Sequence, residues 1–361
     1  MSKAIYDIHK SWKDNLKEGP FFTGKLPERP PFDPNEAIDF LGFNVRSRIG
    51  IFSGPLLDAK WVGLAADLGY DLLTYKTIRS FEDDGHPLPN VLYIDQPAPF
   101  EPTLFPNQVK TTPKEPPVDK ITITNSFGMP SMSPEYLKND IPLAKSKLKP
   151  GQVLILSITG SPSAPSLKDD FVKTALFAKE AGADAIEANF SCPNVKTKEG
   201  SLYLSPESSF EVASALTEAL GNTPLIVKVG LFNDPLLMTK TFLALSCAGV
   251  KAIAGINTIS LNVVDPDGDP ALGPDRLRSG VCGSAIRKAA LKFVKDARTI
   301  IQTEKLPLTL IGGGGISEPQ HFDEFLNAGA DFAFVATAFM FDPYLASRTH
   351  QTQKDLNYAH T

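Results

Sequence analysis

Eight short, almost wholly apolar runs recur along this chain, at 48–53, 71–76, 152–158, 184–189, 223–229, 251–257, 308–312 and 332–336. Helical patterns at 59–68, 134–146, 168–181, 207–220, 235–248, 284–303 and 318–328 separate most of them. A strand with one face in water alternates apolar and polar residues; these runs do not, so both faces must be covered. A parallel sheet with helices on its outside meets that demand, and the intervening helices supply the crossovers. Eight such units predict an α/β fold, a closed (β/α)8 TIM barrel, in preference to an open doubly wound sheet. The Rossmann alternative is weakened further because no Gly-x-Gly-x-x-Gly follows the first strand.

Two stretches stand apart from the repeat. Residues 1–45 read as an N-terminal arm, with a short helix around 4–16 and then a Pro-rich segment that cannot be helical throughout. Residues 77–133 read as a long insertion after strand 2, carrying a ninth strand-like run at 120–125 and Pro-rich material at 97–117. An insertion at that end of a barrel either serves the active site or is a passive excursion, and length alone does not choose. The expected organisation is an arm (1–45), a barrel (46–345) and a C-terminal tail (346–361).

A net charge of −5 gives no footprint for a polyanion, so no nucleic-acid partner is expected. Cys192, Cys247 and Cys282 form neither a disulfide framework nor a Cys-x-x-Cys pair, and no metal site is expected. The first residues lack the apolar core of a signal peptide, and no run approaches the roughly eighteen apolar residues of a membrane span. A cytoplasmic protein with no membrane contact is expected.

In a barrel the chemistry lies at the C-terminal ends of the strands. After strand 4 comes Asn189-Phe190-Ser191-Cys192-Pro193-Asn194, two carboxamides around a thiol. Each amide offers donors and an acceptor for the edge of a small heterocycle, and the thiol can exchange a proton with a ring held there. Strand 1 ends at Ser53-Gly54, where a glycine lets backbone approach a planar ligand. Strand 2 ends at Lys76-Thr77; a lysine there either meets a buried anionic or polar partner or reaches out to solvent. Gly312 to Gly315 after strand 7, and Ala336-Thr337 after strand 8, can turn backbone N–H groups toward a phosphate.

Taken together these residues resemble the dihydroorotate dehydrogenases, flavoproteins that oxidise dihydroorotate to orotate. Asn-x-Ser-Cys-Pro-Asn, with Cys, is the form of the soluble class 1 enzymes. Asn125-Ser126-Phe127-Gly128-Met129-Pro130 resembles the family's substrate loop, with Met for Leu, and Ser157-Ile158-Thr159-Gly160 its Ser-Ile-x-Gly. Ser279-Gly280-Val281-Cys282-Gly283 resembles its Gly-Gly-Leu-Ser-Gly, with Cys282 for Ser. The resemblance implies FMN as cofactor and Cys192 as general base. It implies that Lys228, ending strand 5, stabilises charge on the reduced flavin, and that Lys76 pairs with the substrate carboxylate. Asn125, Asn189, Asn194, Asn257 and Thr258, with the backbone of Phe127, Gly128 and Met129, are then expected around the pyrimidine. FMN is expected on Ser53, Gly54, Lys76, Thr77, Asn125, Ser157, Asn189, Lys228 and Thr258, with its phosphate near Cys282, Gly283, Gly314, Gly315, Ala336 and Thr337.

The electron acceptor stays open at this point. The loop at 125–130 is similar to homodimeric enzymes that use fumarate, whereas Cys192-Pro193-Asn194-Val195-Lys196 is similar to those that reach NAD through an iron–sulfur flavoprotein subunit. Two other functions also stay open: a flavin enzyme acting on another pyrimidine, such as dihydrouracil or dihydrouridine, and a flavin-binding barrel without catalysis.

Overall fold

A computed structural model describes residues 4–191 and 198–359. Eight parallel strands close into a barrel: β1 (Ile49–Leu56), β2 (Leu72–Ile78), β3 (Val153–Ile158), β4 (Ala185–Asn189), β5 (Leu225–Lys228), β6 (Ala252–Gly255), β7 (Thr309–Gly313) and β8 (Phe332–Val335). The ring shuts where Ala333 of β8 pairs with Ile49 of β1. The (β/α)8 expectation is met, and the apolar runs are its staves.

Around the barrel lie α1 (Ala59–Asp67), α2 (Pro134–Ser146), α3 (Leu167–Glu180), α4 (Pro206–Leu220), α5 (Pro235–Cys247), α6 (Arg287–Thr303), α7 (Pro319–Asn327) and α8 (Leu345–Ala359). Their starts are written in the sequence. Ser133, Ser205 and Asp234 each accept a backbone N–H as N-caps, and each is followed by a proline, whose missing N–H costs nothing at that position. Inside the barrel Leu72, Val153, Ile155, Ala185, Ile226, Ala252 and Ile311 pack together, one or two from each of several strands.

The structure differs from the sequence reading at both ends. The N-terminal helix is Trp12–Glu18, not 4–16. Asn15, fully buried, accepts from the N–H of Asp7 and donates to the carbonyls of Asp7, Lys10 and Ser11, so the chain before it is wound into turns instead. Residues 346–361 were expected as a tail; Leu345–Ala359 is instead helix α8, with Leu345, Ala346 and Thr349 buried and His350 bonded to the carbonyl of Gly69. A small hairpin, Ile38–Phe40 with Phe43–Val45, places Phe40 and Val45 in the barrel's interior cluster and so plugs one end. Three-residue strands leave no periodicity to read.

The arm is tied to the start of β2. Arg29 makes a paired contact to Asp71, at 2.9 and 3.1 Å, and Ser47 adds a hydrogen bond of 2.6 Å. Asp71 is fully buried. Arg29→Met leaves that carboxylate without its cation and is expected to destabilise the protein by about 3 kcal/mol, read as a lower urea midpoint at unchanged slope.

The insertion is not a passive loop. Its strands Val91–Tyr93, Gln108–Lys110 and Thr122–Asn125 join Ile259–Val264 and Arg278–Gly283, from a second excursion between β6 and α6, in a five-stranded sheet. Asn125 pairs with Gly280 and Ile123 with Cys282. This sheet roofs the mouth of the barrel.

Candidate active site

The largest group of anticipated residues converges on one cavity between the barrel mouth and the roof. Ser53 and Gly54 come from β1, Lys76 and Thr77 from β2, Asn189 from the end of β4 and Lys228 from the end of β5. Asn257 and Thr258 follow β6, Gly314 and Gly315 follow β7, and Ala336 and Thr337 follow β8. The roof adds Asn125, Phe127, Met129, Cys282 and Gly283. Ser157 stands one place back from the cavity, bonded to Thr77. Gly128 backs onto His86, whose ring a Cβ at 128 would meet at 2.6 Å. Cys192 and Asn194 lie outside the described residues.

A chain of polar groups crosses the floor. Ser157 Oγ lies 2.9 Å from Thr77 Oγ1, Thr77 Oγ1 lies 3.1 Å from Ser53 Oγ, and Lys228 Nζ donates to Ser53 Oγ at 3.3 Å. The Lys228 ammonium also sits over the Phe52 ring, 5.4 Å from its centroid. Its counter-charge is Glu187, at 4.0 Å, and both side chains are more than nine-tenths buried. Glu187 was not among the residues anticipated from the sequence. The signal was present: a carboxylate in the middle of an otherwise apolar strand must have a partner.

At the end of β4 the carboxamides interlock. Asn189 Oδ1 accepts from the N–H of Ser191 at 3.2 Å and from Asn257 Nδ2 at 3.4 Å, and Asn257 Nδ2 also donates to the carbonyl of Ser191. The chain leading up to position 192 is thus fixed at the cavity edge. Thr258 Oγ1 is buried with no partner among the described residues, which marks an unfilled hydrogen bond.

Strand 1 was expected to end at Ser53-Gly54. Instead β1 runs on to Leu56, with a register shift against β2 and Gly54 at φ +136°. A Cβ on Gly54 would meet no atom within 4 Å, so this bulge presents bare backbone to open space. At the opposite wall Gly283, φ +91°, lies against the carbonyl of Ile121, where a Cβ would come within 2.2 Å. A Cβ on Gly315 would fall 2.8 Å from the carbonyl of Gly283. The two glycine segments, distant in sequence, therefore meet, as a common anion corner requires.

Cys282 departs from the serine of the resembling motif, and its sulfur takes two hydrogen bonds, from Asn125 Nδ2 at 3.4 Å and Thr337 Oγ1 at 3.3 Å. Burial pushes its thiol above the ordinary range, with those donors pulling the other way. Met129 adopts φ +62° beside Gly128 at +73°, and Arg79 Nε holds the Met129 carbonyl at 3.0 Å. A left-handed non-glycine residue is a strained turn. Two residues of the arm complete the wall, Tyr6 and Trp12, both almost fully buried. Sequence reasoning assigned the arm no part in the site.

Behind the glycine corner, His321 Nδ1 accepts from the N–H groups of Ser317 and Glu318, both at 3.2 Å, while Arg287 reaches the same ring. Burial and the Arg287 charge lower its pKa from 6.5 to about 4. The unfolded chain therefore takes up this proton first. The corresponding stability is complete above about pH 6.5 and is lost as pH falls toward 4. His321→Gln is expected to flatten that part of the stability–pH curve, measured by urea unfolding between pH 7 and about pH 4; an unchanged slope would refute the assignment.

Three comparisons bear on this geometry. The family described as dihydroorotate dehydrogenase matches residues 105–356. A dihydroorotate dehydrogenase of Dictyostelium discoideum is 48% identical over 98% of this chain and 99% of its own length. The chain belongs to the dihydroorotate dehydrogenase family. A relative from Limosilactobacillus reuteri named dihydroorotate dehydrogenase A (fumarate) is 32% identical over 49% of this chain and 55% of its own. The crystal structure of a dihydroorotate dehydrogenase from Eimeria tenella, in complex with ferulenol, superposes with a TM-score of 0.73 at 16% identity, covering 97% of this chain and 90% of that one. That likeness bears on the barrel alone. Among the described residues no helix is long and apolar enough to cross a membrane, and no group of three or more His, Cys, Asp or Glu is placed to hold a metal ion.

Proposed function

We propose that this protein oxidises dihydroorotate to orotate in pyrimidine biosynthesis, with FMN held in the mouth of the barrel. The observation that carries the reading is the convergence of Lys228, Asn125, Asn189 and Asn257 with the glycine corner on one cavity. It occurs in a chain alike over nearly its whole length to a dihydroorotate dehydrogenase. A flavin needs apolar walls, a hydrogen-bonding edge and a cation near its N1 side, and its phosphate needs backbone N–H groups. Phe52, Ile256 and Met340 line the cavity as walls, Lys228 offers the cation, and the unpartnered Thr258 hydroxyl offers a hydrogen bond.

In this reading Ser53, Gly54, Lys76, Thr77, Asn125, Ser157, Asn189, Lys228 and Thr258 hold the ring system. Cys282, Gly283, Gly314, Gly315, Ala336 and Thr337 hold the phosphate. When bound, FMN supplies a hydride acceptor at N5. Cys192 takes the proton from the ring carbon next to the carbonyl, while the hydride leaves the neighbouring carbon, so a carbon–carbon double bond forms. Lys76 pairs with the substrate carboxylate. Asn125, Asn189, Asn194, Asn257 and Thr258, with the turn Phe127–Met129, orient the ring, each unsatisfied partner costing about 1–3 kcal/mol. Lys228 places a positive charge where reduction adds a negative one.

We assign the class 1 type on Asn189–Asn194, and a homodimer with fumarate as acceptor on the loop at 125–130. Transfer to NAD would instead require an iron–sulfur partner subunit. The test is anaerobic addition of dihydroorotate to the purified protein, following the flavin band near ~450 nm. Bleaching supports the reading, and re-oxidation by fumarate but not NAD supports the acceptor. A yellow protein that dihydroorotate fails to bleach rejects the substrate; a protein that cannot be loaded with FMN rejects the cofactor. Dihydrouracil bleaching as fast as dihydroorotate would point to the other pyrimidine activity.

A further inference from the structure

We propose that Trp12, on the N-terminal arm, is a positioning residue for Lys76 and therefore sets the affinity of the site for a carboxylate-bearing ligand. The inference rests on the reading of Lys76 as the partner of the substrate carboxylate and deepens it. Trp12 is 2% exposed and lines the cavity together with Lys76. The Lys76 ammonium lies 5.6 Å from the centroid of its ring. Two carbonyls take the ammonium on other sides, those of Pro130 at 2.5 Å and Thr77 at 3.3 Å. The aromatic face thus attracts the partly buried cation and shields one side of it from water, and a lysine so shielded pairs more strongly with an anion.

Trp12 is itself held. Its indole N–H donates to the carbonyl of Asp84, in the insertion, at 2.8 Å. Lys13 pairs with Asp84 and Glu82 of the same segment. On the arm side Ser11 caps the short helix, and buried Asn15 secures the turns that precede it. Tyr6 extends the wall, packing edge-on against Phe127 at 6.5 Å, while the N–H of Ile5 donates to the carbonyl of Met340. The arm and the roof are thereby joined directly above Lys76, so the site is incomplete without the arm.

The experiment uses the FMN-loaded, full-length protein with Trp12→Leu, Trp12→Phe and Lys76→Met, and has two readouts. The first is the rate of reductive methylation of Lys76, read by mass spectrometry against exposed Lys149. Trp12→Leu is expected to raise it about fivefold and Trp12→Phe to restore it. The second is steady-state kinetics with dihydroorotate. KM is expected to rise about fivefold in Trp12→Leu, with kcat within about twofold, and to rise no further when Trp12→Leu is added to Lys76→Met. Trp12→Met, whose longer and more flexible side chain adapts better to an irregular gap, carries the same expectations should Trp12→Leu not fold. Unchanged Lys76 labelling, or a KM effect that persists in the Lys76→Met background, overturns the proposal. If the wild-type protein does not turn over dihydroorotate, the assigned activity fails, and the labelling still decides the role of Trp12.

Discussion

Cys192→Ala is expected to slow bleaching of the bound flavin by dihydroorotate by about 10²- to 10⁴-fold, the contribution a positioned general base makes to proton removal. Binding of FMN and of orotate should change by less than about threefold, because the amide contacts stay in place. The structural ground is the fixing of the chain just before this residue. Asn189 and Asn257 clamp Ser191 at the edge of the cavity, and Lys228, opposite Asn189 in the β4–β5 register, lies beside them. An ordinary thiol ionises near pH ~8.5, so the wild-type rate should climb between neutral and mildly alkaline pH. Stopped-flow absorbance under anaerobic conditions reads both effects. A variant that bleaches within about threefold of wild type would remove Cys192 from the mechanism, whatever became of the pH profile.

Lys228→Met is expected to have two separable consequences. Loss of a cation aimed at developing charge should lower the rate of flavin reduction by about 10²- to 10³-fold. It should also destabilise the fold by about 3–5 kcal/mol, because Glu187 is left buried without a counter-charge. Glu187 Oε1, the oxygen nearest Lys228, has no hydrogen-bond partner among the described residues, so the ammonium is what offsets its charge. Adding Glu187→Gln to Lys228→Met should therefore return most of the stability while leaving the rate low. Recovery of both together would mean that Lys228 matters only for the fold. Urea unfolding and stopped-flow reduction on the same preparations distinguish the outcomes.

The staves of the barrel were legible because burial on both faces leaves a plain mark, a run such as Val153-Leu154-Ile155-Leu156 with nothing polar until Ser157. Most residues around the cavity were legible for a related reason. Once the runs are numbered, the polar and glycine residues just after them fall at the mouth, as Asn189, Lys228 and Gly314 do. What escaped depends on pairings distant in sequence. The roof strands are short, lie in Pro-rich or polar surroundings, and exist because Thr122–Asn125 finds Arg278–Gly283. Glu187 was visible, but its role required knowing that Lys228 stands on the adjacent strand. Gly54 was read as the end of its strand because a bulge and a strand end make the same demand on a glycine, and only the neighbouring strand tells them apart. Tyr6 and Trp12 fell within a helical pattern that gave no sign of what they face. Where an aromatic side chain of a short arm packs is set by the surface on which the arm lies.

The roof sheet has a consequence for the order in which the molecule is built. Its central pair joins residues about 155 apart, and closing so large a loop is entropically costly until the intervening strands of the barrel have already drawn its ends together. A chain leaving the ribosome can lay down the first six staves and still have no roof, since Arg278–Gly283 has yet to emerge. Competence to bind should thus appear late and all at once during synthesis. The nascent chain passes through a stage in which its most polar interior, with Glu187 and Lys228 at its base, still stands open to water.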